Sequence, residues 1–411
     1  MHFNIKDKNF VEPLLTNIKV DNKLEDLKIE YGFNELLNNQ RNKIDKINHN
    51  EWKAARFYIN DYDFLVKPPI INRAFYKFWE IINEFEIYEN FTEDSIIFHC
   101  AEAPGGFIQA SNIFLQLDNS DYTKSKQSKP EKDLDGFTIV KSKKKEYKKS
   151  KIFTISLNKD LPKYKSYNLP SYNKSVINKN VHITYGKDNT GDINNLENIY
   201  YIKELINRQK SDGFNLITSD LGFDEGIEFN NKEQLHCLAI TNCIFNTVYL
   251  QKEGGHYVLK VFDIFTETSI QLLYLLNTLY DEVYIYKPKT SRPSNSEKYI
   301  ICKGFTKNKE YKQKVIDTLL LTITEINKVK GSNKYISFKL FEFIPESFTK
   351  KIKETNTRLV NIQCQFLNKA IQLCEYPNFL INYEKQLPFL INKRKQIFKE
   401  WEALYNLNVF I

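Results

Sequence analysis

The chain has 411 residues, 42% of them hydrophobic and 14% aromatic, which is enough to fill the cores of two or three domains. Lys and Arg outnumber Asp and Glu by 59 to 51 for a net charge of +8, a modest excess that a lysine-rich solvated surface explains as readily as a polyanionic partner. Six cysteines without a CxxC pair and six scattered histidines without HxH or HxxxH spacing support neither a disulfide framework nor a metal site; MHFNIKDKNF lacks a signal-peptide core, and no apolar run approaches the about 20 residues that span a bilayer, so the expectation is a soluble intracellular protein.

Residues 1–60 mix charges with scattered aromatics, and WKAARFYINDYDFL carries a helical apolar stripe that breaks at Pro68-Pro69. INRAFYKFWEIINEF then sets Ala74, Phe75, Phe78, Trp79, Ile82 and Phe85 at helical spacing, with Lys77 at the polar edge. SIIFHC reads as a buried strand, AEAPGG as a turn and FIQASNIFLQL as a helix, the order of an α/β nucleotide-type unit. From Asn119 to Lys151 the chain is polar and lysine-loaded, a mobile surface insertion by composition; its block from Lys141 to Lys151 reads as a solvated loop or as a phosphate contact for RNA.

Order resumes with strands at IFTISL and VHITYG, a helix over about Asn195 to Lys210, and FNLITSDLG, a strand running into a second glycine turn. KEQLHCLAITNCIFNTVYLQ reads as a helix and GGHYVLKVFD as the next strand; a helix from Glu267 to about Leu279, the strand EVYIYK, the loop PKTSRPSNS and the strand EKYIICKGF complete one doubly wound α/β sheet. Past residue 306 the pattern is helical, with Val315, Ile316, Leu319, Leu320, Ile323 and Ile326 on one face and further stripes through Ile352, Leu359, Leu390 and Trp401. The expected organisation is an N-terminal helical extension (1–60), an α/β domain (61–305) with the insertion 119–151, and an α-helical C-terminal module (306–411).

A strand ending in Pro-Gly-Gly lets a ligand approach the backbone, because Gly105 and Gly106 carry no Cβ and the next helix aims its N-terminus at the site. AEAPGGF resembles the first motif of the FtsJ-like family of S-adenosylmethionine-dependent RNA 2'-O-methyltransferases, where this turn packs around the methionine part of the cofactor. The resemblance implies a Rossmann-like methyltransferase sheet, mostly parallel with one antiparallel strand and helices on both faces. It makes Ala103, Pro104, Gly105, Gly106, Phe107 and Asp220 cofactor contacts. The chain departs from the family at His99, where an acidic residue is frequent, and at Ala101-Glu102, where glycine or alanine is. TYGKDNTGDINNLENI is similar to the subset acting on mRNA caps, in which a Gly-Asp-Ile segment approaches the adenosine; Asp192 is then a cofactor contact, or else a loop aspartate in an Asx-turn.

Methyl transfer to a ribose hydroxyl requires a site that orients a poor nucleophile and eases its proton away. Two lysines lower each other's proton affinity while carboxylates restore it and fix geometry. Lys77, Asp220, Lys260 and Glu297 form such a set, the last three at or near strand ends where an open α/β sheet places ligands; each alone reads as an ordinary surface charge. In order and placement they resemble the Lys-Asp-Lys-Glu tetrad of FtsJ-like enzymes, which implies that Lys260 lies nearest the attacking oxygen, Asp220 and Glu297 position lysines and substrate, and Lys77 completes the network.

FLVKPPIINRAFYKFWEI, GGHYVLKVFDIFTETSIQLLYLL and YKPKTSRPSNSEKYIICKGF are similar to cap-specific mRNA ribose methyltransferases of eukaryotes and large DNA viruses. This implies methylation of the first transcribed nucleotide of capped mRNA (cap 0 to cap 1), with other capping or transcription proteins as further partners and no part for DNA, membrane or metal. Arg292, Ser294 and Asn295 are then expected to face the RNA, although Arg292 equally suits a carboxylate pair. Trp52 and Trp401 are candidates to stack on a methylated guanine, whereas Trp79 lies on a core stripe. Two alternatives stand: an FtsJ-like enzyme for ribosomal or transfer RNA, and a non-catalytic RNA-binding subunit that keeps the fold. The expected location is the cytoplasm, in a viral factory or virion if the source is viral, or the nucleus if it is cellular.

Overall fold

The computed structural model describes residues 1–7, 13–21, 30–63, 66, 68–116, 150–222, 229–329 and 336–407. The lysine-rich stretch up to residue 149 lies outside them. The insertion ends earlier than the composition indicates: Ser150 is buried, and Lys151 opens a strand, its ammonium bonded to the Gln209 side chain.

Ten strands are described: β1 (His2–Asn4), β2 (Val20–Asp21), β3 (Ile96–Cys100), β4 (Lys151–Ile155), β5 (Val181–Thr184), β6 (Phe214–Ser219), β7 (Gln251–Val261), β8 (Tyr280–Tyr286), β9 (Lys298–Phe305) and β10 (Ser337–Phe338). Eight form one sheet in the order β1-β8-β9-β7-β6-β3-β4-β5; β2 and β10 pair separately. From β5 to β7 all pairings are parallel, and β9 is the reversed strand between β7 and β8. The parallel strands carry near-continuous apolar runs because both faces are covered, as in β3, where all five residues are buried. The N-terminal segment, expected to be helical, begins instead as β1, which adds a second reversed strand by pairing with β8.

The helices are α1 (Glu35–Ile44), α2 (His49–Ile59), α3 (Arg73–Glu84), α4 (Gly106–Gln116), α5 (Leu196–Arg208), α6 (Lys232–Leu250), α7 (Glu267–Leu279), α8 (Lys309–Val329), α9 (Glu346–Glu375) and α10 (Phe379–Leu404). One face of the sheet packs α5 to α8 and the start of α9 through residues such as Ile202, Val248, Leu275, Leu319 and Ile352. The other packs α3, α4 and the end of α10 through Phe75, Phe78, Trp79, Phe107 and Trp401. The C-terminal stripe reads correctly, since Val315, Leu319, Ile323 and Ile326 are all buried. Two tryptophans resolve as core: Trp79 donates its indole N–H to the Tyr405 carbonyl (2.9 Å), and Trp401, 2% exposed, cannot stack on a base.

Glu80 joins these parts. It lies one turn beyond Lys77 on α3 and is fully buried, and its two oxygens accept from Tyr286 OH (3.0 Å), the Lys289 and Thr290 backbone N–H groups (both 2.8 Å) and the Trp401 indole (3.1 Å). Burial raises its pKa, and these bonds counter only part of the rise. One side chain thus docks the C-terminal helix and anchors the loop that leads from β8 to Glu297. Trp401→Ala removes both a large core filler and a Glu80 partner, so urea unfolding should show a loss of about 3–5 kcal/mol; an unchanged midpoint would mean that α10 does not dock on α3.

Candidate active site

The strand ends of β3, β6 and β7 meet at one edge. The Asp220 N–H donates to the Cys100 carbonyl (3.3 Å), which aligns the turn after β3 with the start of the loop after β6. That turn is shaped by local geometry: Ala101 has φ 57°, Gly105 has φ 113°, and the Gly105 N–H closes on the Glu102 carbonyl at 2.7 Å. Gly106 is required for a different reason, because a Cβ there would lie 2.2 Å from Asn72 Oδ1, the oxygen that caps α3 by accepting the Ala74 N–H. The second glycine therefore lets α4 start against the start of α3, the helix that carries Lys77.

The tetrad assembles as two ion pairs. Lys77 Nζ lies 2.7 Å from Glu297 Oε1, and Lys260 Nζ lies 3.2 Å from Asp220 Oδ1 while also donating to the Asp220 carbonyl at 3.2 Å. Tyr299 OH donates to Asp220 Oδ1 (3.2 Å), and Ser291 Oγ donates to Glu297 Oε1 (3.0 Å). Burial pushes the Glu297 carboxyl up, but the charges of Lys77 and Lys260, the Lys77 hydrogen bond and the charge of Lys287 outweigh it and hold the pKa at about 2. Lys260 therefore acts on both carboxylates, and the two pairs form one network.

Lys287 is a site residue that the sequence reading passed over. Buried, its Nζ donates to the Asn295 carbonyl (2.7 Å), Asn295 Oδ1 (2.6 Å) and the Glu297 carbonyl (2.7 Å), and burial lowers its pKa well below the ordinary value. It closes the loop 288–296 on itself. Asn295, expected to face RNA, thus spends its carbonyl and side-chain oxygens on Lys287. Arg292, also expected there, donates from Nε to Asp63 Oδ2 (3.2 Å), the carboxylate pairing weighed as its alternative. The Ser294 carbonyl accepts from Gln363 of α9 at 3.3 Å.

At the glycine turn, Ala103 and Pro104 are half-buried, with the Ala103 N–H on Ser156 Oγ (3.0 Å) and the Pro104 carbonyl on the Asn173 N–H (2.9 Å). Phe107 is fully buried and stacks on Phe78 with centroids 4.3 Å apart, so its ring belongs to the core beneath the turn. The same holds for His99, whose ring nitrogens bond Thr218 Oγ1 and Ser111 Oγ (both 2.8 Å) and whose pKa burial lowers to about 3. Glu102 differs. Its Oε1 accepts the Phe107 N–H (2.8 Å), while its buried Oε2 has no hydrogen-bond partner, and burial together with the charge of Asp220 raises its pKa well above the usual range. An orphaned carboxyl oxygen beside a second carboxylate fits a ligand group that carries positive charge.

Asp192 sits in the loop after β5 and accepts the Asn194 N–H (2.9 Å) and side-chain amide (3.0 Å), an Asx-turn. Gly191 holds that loop against the end of β4, since a Cβ there would lie 1.9 Å from the Ser156 carbonyl. Asp192 is accordingly on the same edge of the sheet as the glycine turn. Among the described residues no group of three or more His, Cys, Asp or Glu is placed to hold a metal ion.

A strand-end glycine turn, the Glu102 and Asp220 carboxyls and a Lys-Asp-Lys-Glu network lie together at one edge of the mostly parallel sheet. The FtsJ-like methyltransferase family model matches residues 70–305, more than half of the chain, and the chain belongs to that family. A Caenorhabditis briggsae protein described as cap-specific mRNA (nucleoside-2'-O-)-methyltransferase 1A is 32% identical over 227 residues, covering 53% of this chain and 25% of that protein. A second C. briggsae relative described as inactive, 1B, is 30% identical over 227 residues (53% of this chain, 26% of that protein). A Dictyostelium discoideum relative described as cap-specific mRNA (nucleoside-2'-O-)-methyltransferase 1 is 30% identical over 335 residues, covering 78% of this chain and 40% of that protein. The chain thus spans from a quarter to two fifths of the length of these relatives.

Because the Glu297 pKa is depressed from 4.5 to about 2, its contribution to stability is complete above about pH 4.5 and is lost as pH falls toward 2. Unfolding midpoints measured between pH 2 and 5 should fall more steeply for the wild type than for Glu297→Gln; parallel curves would place the carboxylate outside the ion pair.

Proposed function

We propose that this chain transfers a methyl group from S-adenosylmethionine to the ribose 2'-hydroxyl of the first transcribed nucleotide of capped mRNA. The observation that carries the reading is the joining of all four tetrad residues into one buried network at the strand ends beside the glycine turn. The cap-specific names of the relatives over the matched segment favour mRNA over ribosomal or transfer RNA. The intact tetrad favours an active enzyme over a binding subunit, which matters because one relative of similar identity is described as inactive.

When bound, S-adenosylmethionine supplies an electrophilic methyl group. The Glu102 and Asp220 carboxyls suit its cationic ammonium and sulfonium, with Glu102 Oε2 free to accept a hydrogen bond. Lys260, held by both the carboxylate and the carbonyl of Asp220, enters the step as the neutral amine after giving a proton to solvent, and its lone pair takes the proton of the ribose hydroxyl as the oxygen attacks. Lys77, held by Glu297, adds a second positive charge to stabilise the developing oxyanion, and the buried setting strengthens both interactions. Tyr299 and Ser291 keep the carboxylates oriented so that little reorganisation accompanies the step.

Purified protein with labelled S-adenosylmethionine should methylate a short capped RNA and fail when the first ribose is 2'-deoxy; label persisting on the deoxy substrate would contradict the assignment. Lys260→Ala should lower turnover by at least about 10²-fold while calorimetry shows cofactor binding retained. Turnover near the wild-type rate would remove Lys260 from the chemistry.

A further inference from the structure

Beside the tetrad lies a cavity of about 240 Å³ whose walls come from parts of the chain far apart in sequence. Arg41 and Arg56 with Trp52 come from α1 and α2, Lys232 from the start of α6, Phe262 from just past β7, and Arg292, Ser294 and Ser296 from the loop before Glu297. Arg41, Trp52 and Arg56 precede the family segment that begins at residue 70, so nothing in the family match accounts for them. The cavity adjoins the chemistry on two sides. Ser296 is the neighbour of Glu297, and Lys260 Nζ lies 5.9 Å from the Phe262 ring.

Its wall sets Arg41, Arg56, Lys232 and Arg292 against one carboxylate of its own, Asp45. Asp63 serves both Arg73, one turn before Lys77 on α3, and Arg292, and Arg41 is taken by Asp263 at 2.9 Å. Arg56 has no ion pair among the described residues, and its buried Nε has no hydrogen-bond partner. Burial and the neighbouring charge of Arg292 lower the Arg56 pKa to about 10, and burial with the same neighbour lowers that of Arg73 to about 10. Guanidiniums crowded around one carboxylate lower the stability of the free protein and are relieved when an anion enters. The fork geometry of Arg suits a phosphate, and Trp52, half-buried against the apolar clusters of Leu37 and Ala370, lines the cavity with an aromatic side chain on which a base can rest.

We infer that this cavity seats a phosphate group of the RNA substrate next to the target ribose, with Arg56, without an ion pair among the described residues, as the cation that receives it and Trp52 as the wall for the neighbouring base. The inference rests on the RNA-directed reading above, and it makes α1 and α2 part of the substrate site rather than an appendage. Arg56 is a binding and positioning residue, remote from the transferred methyl group.

The test uses the full chain without methyl donor and a fluorescein-labelled short capped RNA followed by anisotropy. Arg56→Gln should weaken binding about tenfold and make the plot of log affinity against log salt shallower by about 0.7–1. Arg56→Lys should keep most of the affinity and the slope. The thermal midpoint of Arg56→Gln should stay equal or rise, because a crowding charge has gone; a lowered midpoint with unchanged RNA affinity would show a purely structural role and overturn the inference. If Arg56→Gln does not fold, Trp52→Ala in the same assay replaces it, with weaker RNA binding expected and unchanged binding overturning the inference. Wild-type affinity and KM in Arg56→Gln, with methyl transfer intact, would defeat the cavity assignment alone. RNA binding that depends on Arg56 in a protein unable to methylate would support the cavity and defeat only the proposed reaction.

Discussion

A carboxylate kept ionised out of water is the constraint on which this structure turns. Glu297 is almost wholly buried, and it holds its charge because Lys77, Lys260 and Lys287 surround it. Taking such charges out of water costs several kcal/mol per ion before pairing returns it, and a well-packed apolar cluster would frequently be more stable. The arrangement makes sense as a preorganised electrostatic site. Its supports are correspondingly elaborate: Lys287 closes the loop before Glu297, and Glu80 fixes the loop's start to α3 and to the C-terminal helix.

Helix α3 is the shared beam. It presents Arg73, Lys77 and Glu80 at successive turns, so one rigid element sets the Asp63 pair, the Glu297 pair and the loop anchor together. Its own start is capped by Asn72 and pressed against Gly106, which ties the position of Lys77 to the glycine turn after β3. The distance between the glycine turn and the lysine network is therefore set by packing rather than by flexible side chains.

Much of this was legible in the sequence because the signals were local. The helix Glu267–Leu279 and strands such as Phe214–Ser219 follow from apolar spacing; Asp220, Lys260 and Glu297 were marked by strand-end positions, and Lys77, on a helix edge, by the order it shares with the family's tetrad. What escaped depends on contacts between distant segments. β1 joins the sheet through a register with β8 that a three-residue strand cannot announce. Lys287 looks like one more surface lysine until the loop folds over it, and Trp401 is apolar enough for core or stacking alike until Glu80 claims its N–H. Phe107 sits in the cofactor motif yet turns its ring inward, because the residue after a glycine pair at a helix start is already on the buried face of α4.

The central claim is that the Lys77–Glu297 and Lys260–Asp220 pairs act as one unit, and single-turnover methyl transfer to capped RNA measures it directly. Lys77→Ala, Lys260→Ala and the double variant should each slow the chemical step by similar factors, since disabling either pair already disables the network. Losses that multiply in the double variant would show two independent surface charges and contradict the account.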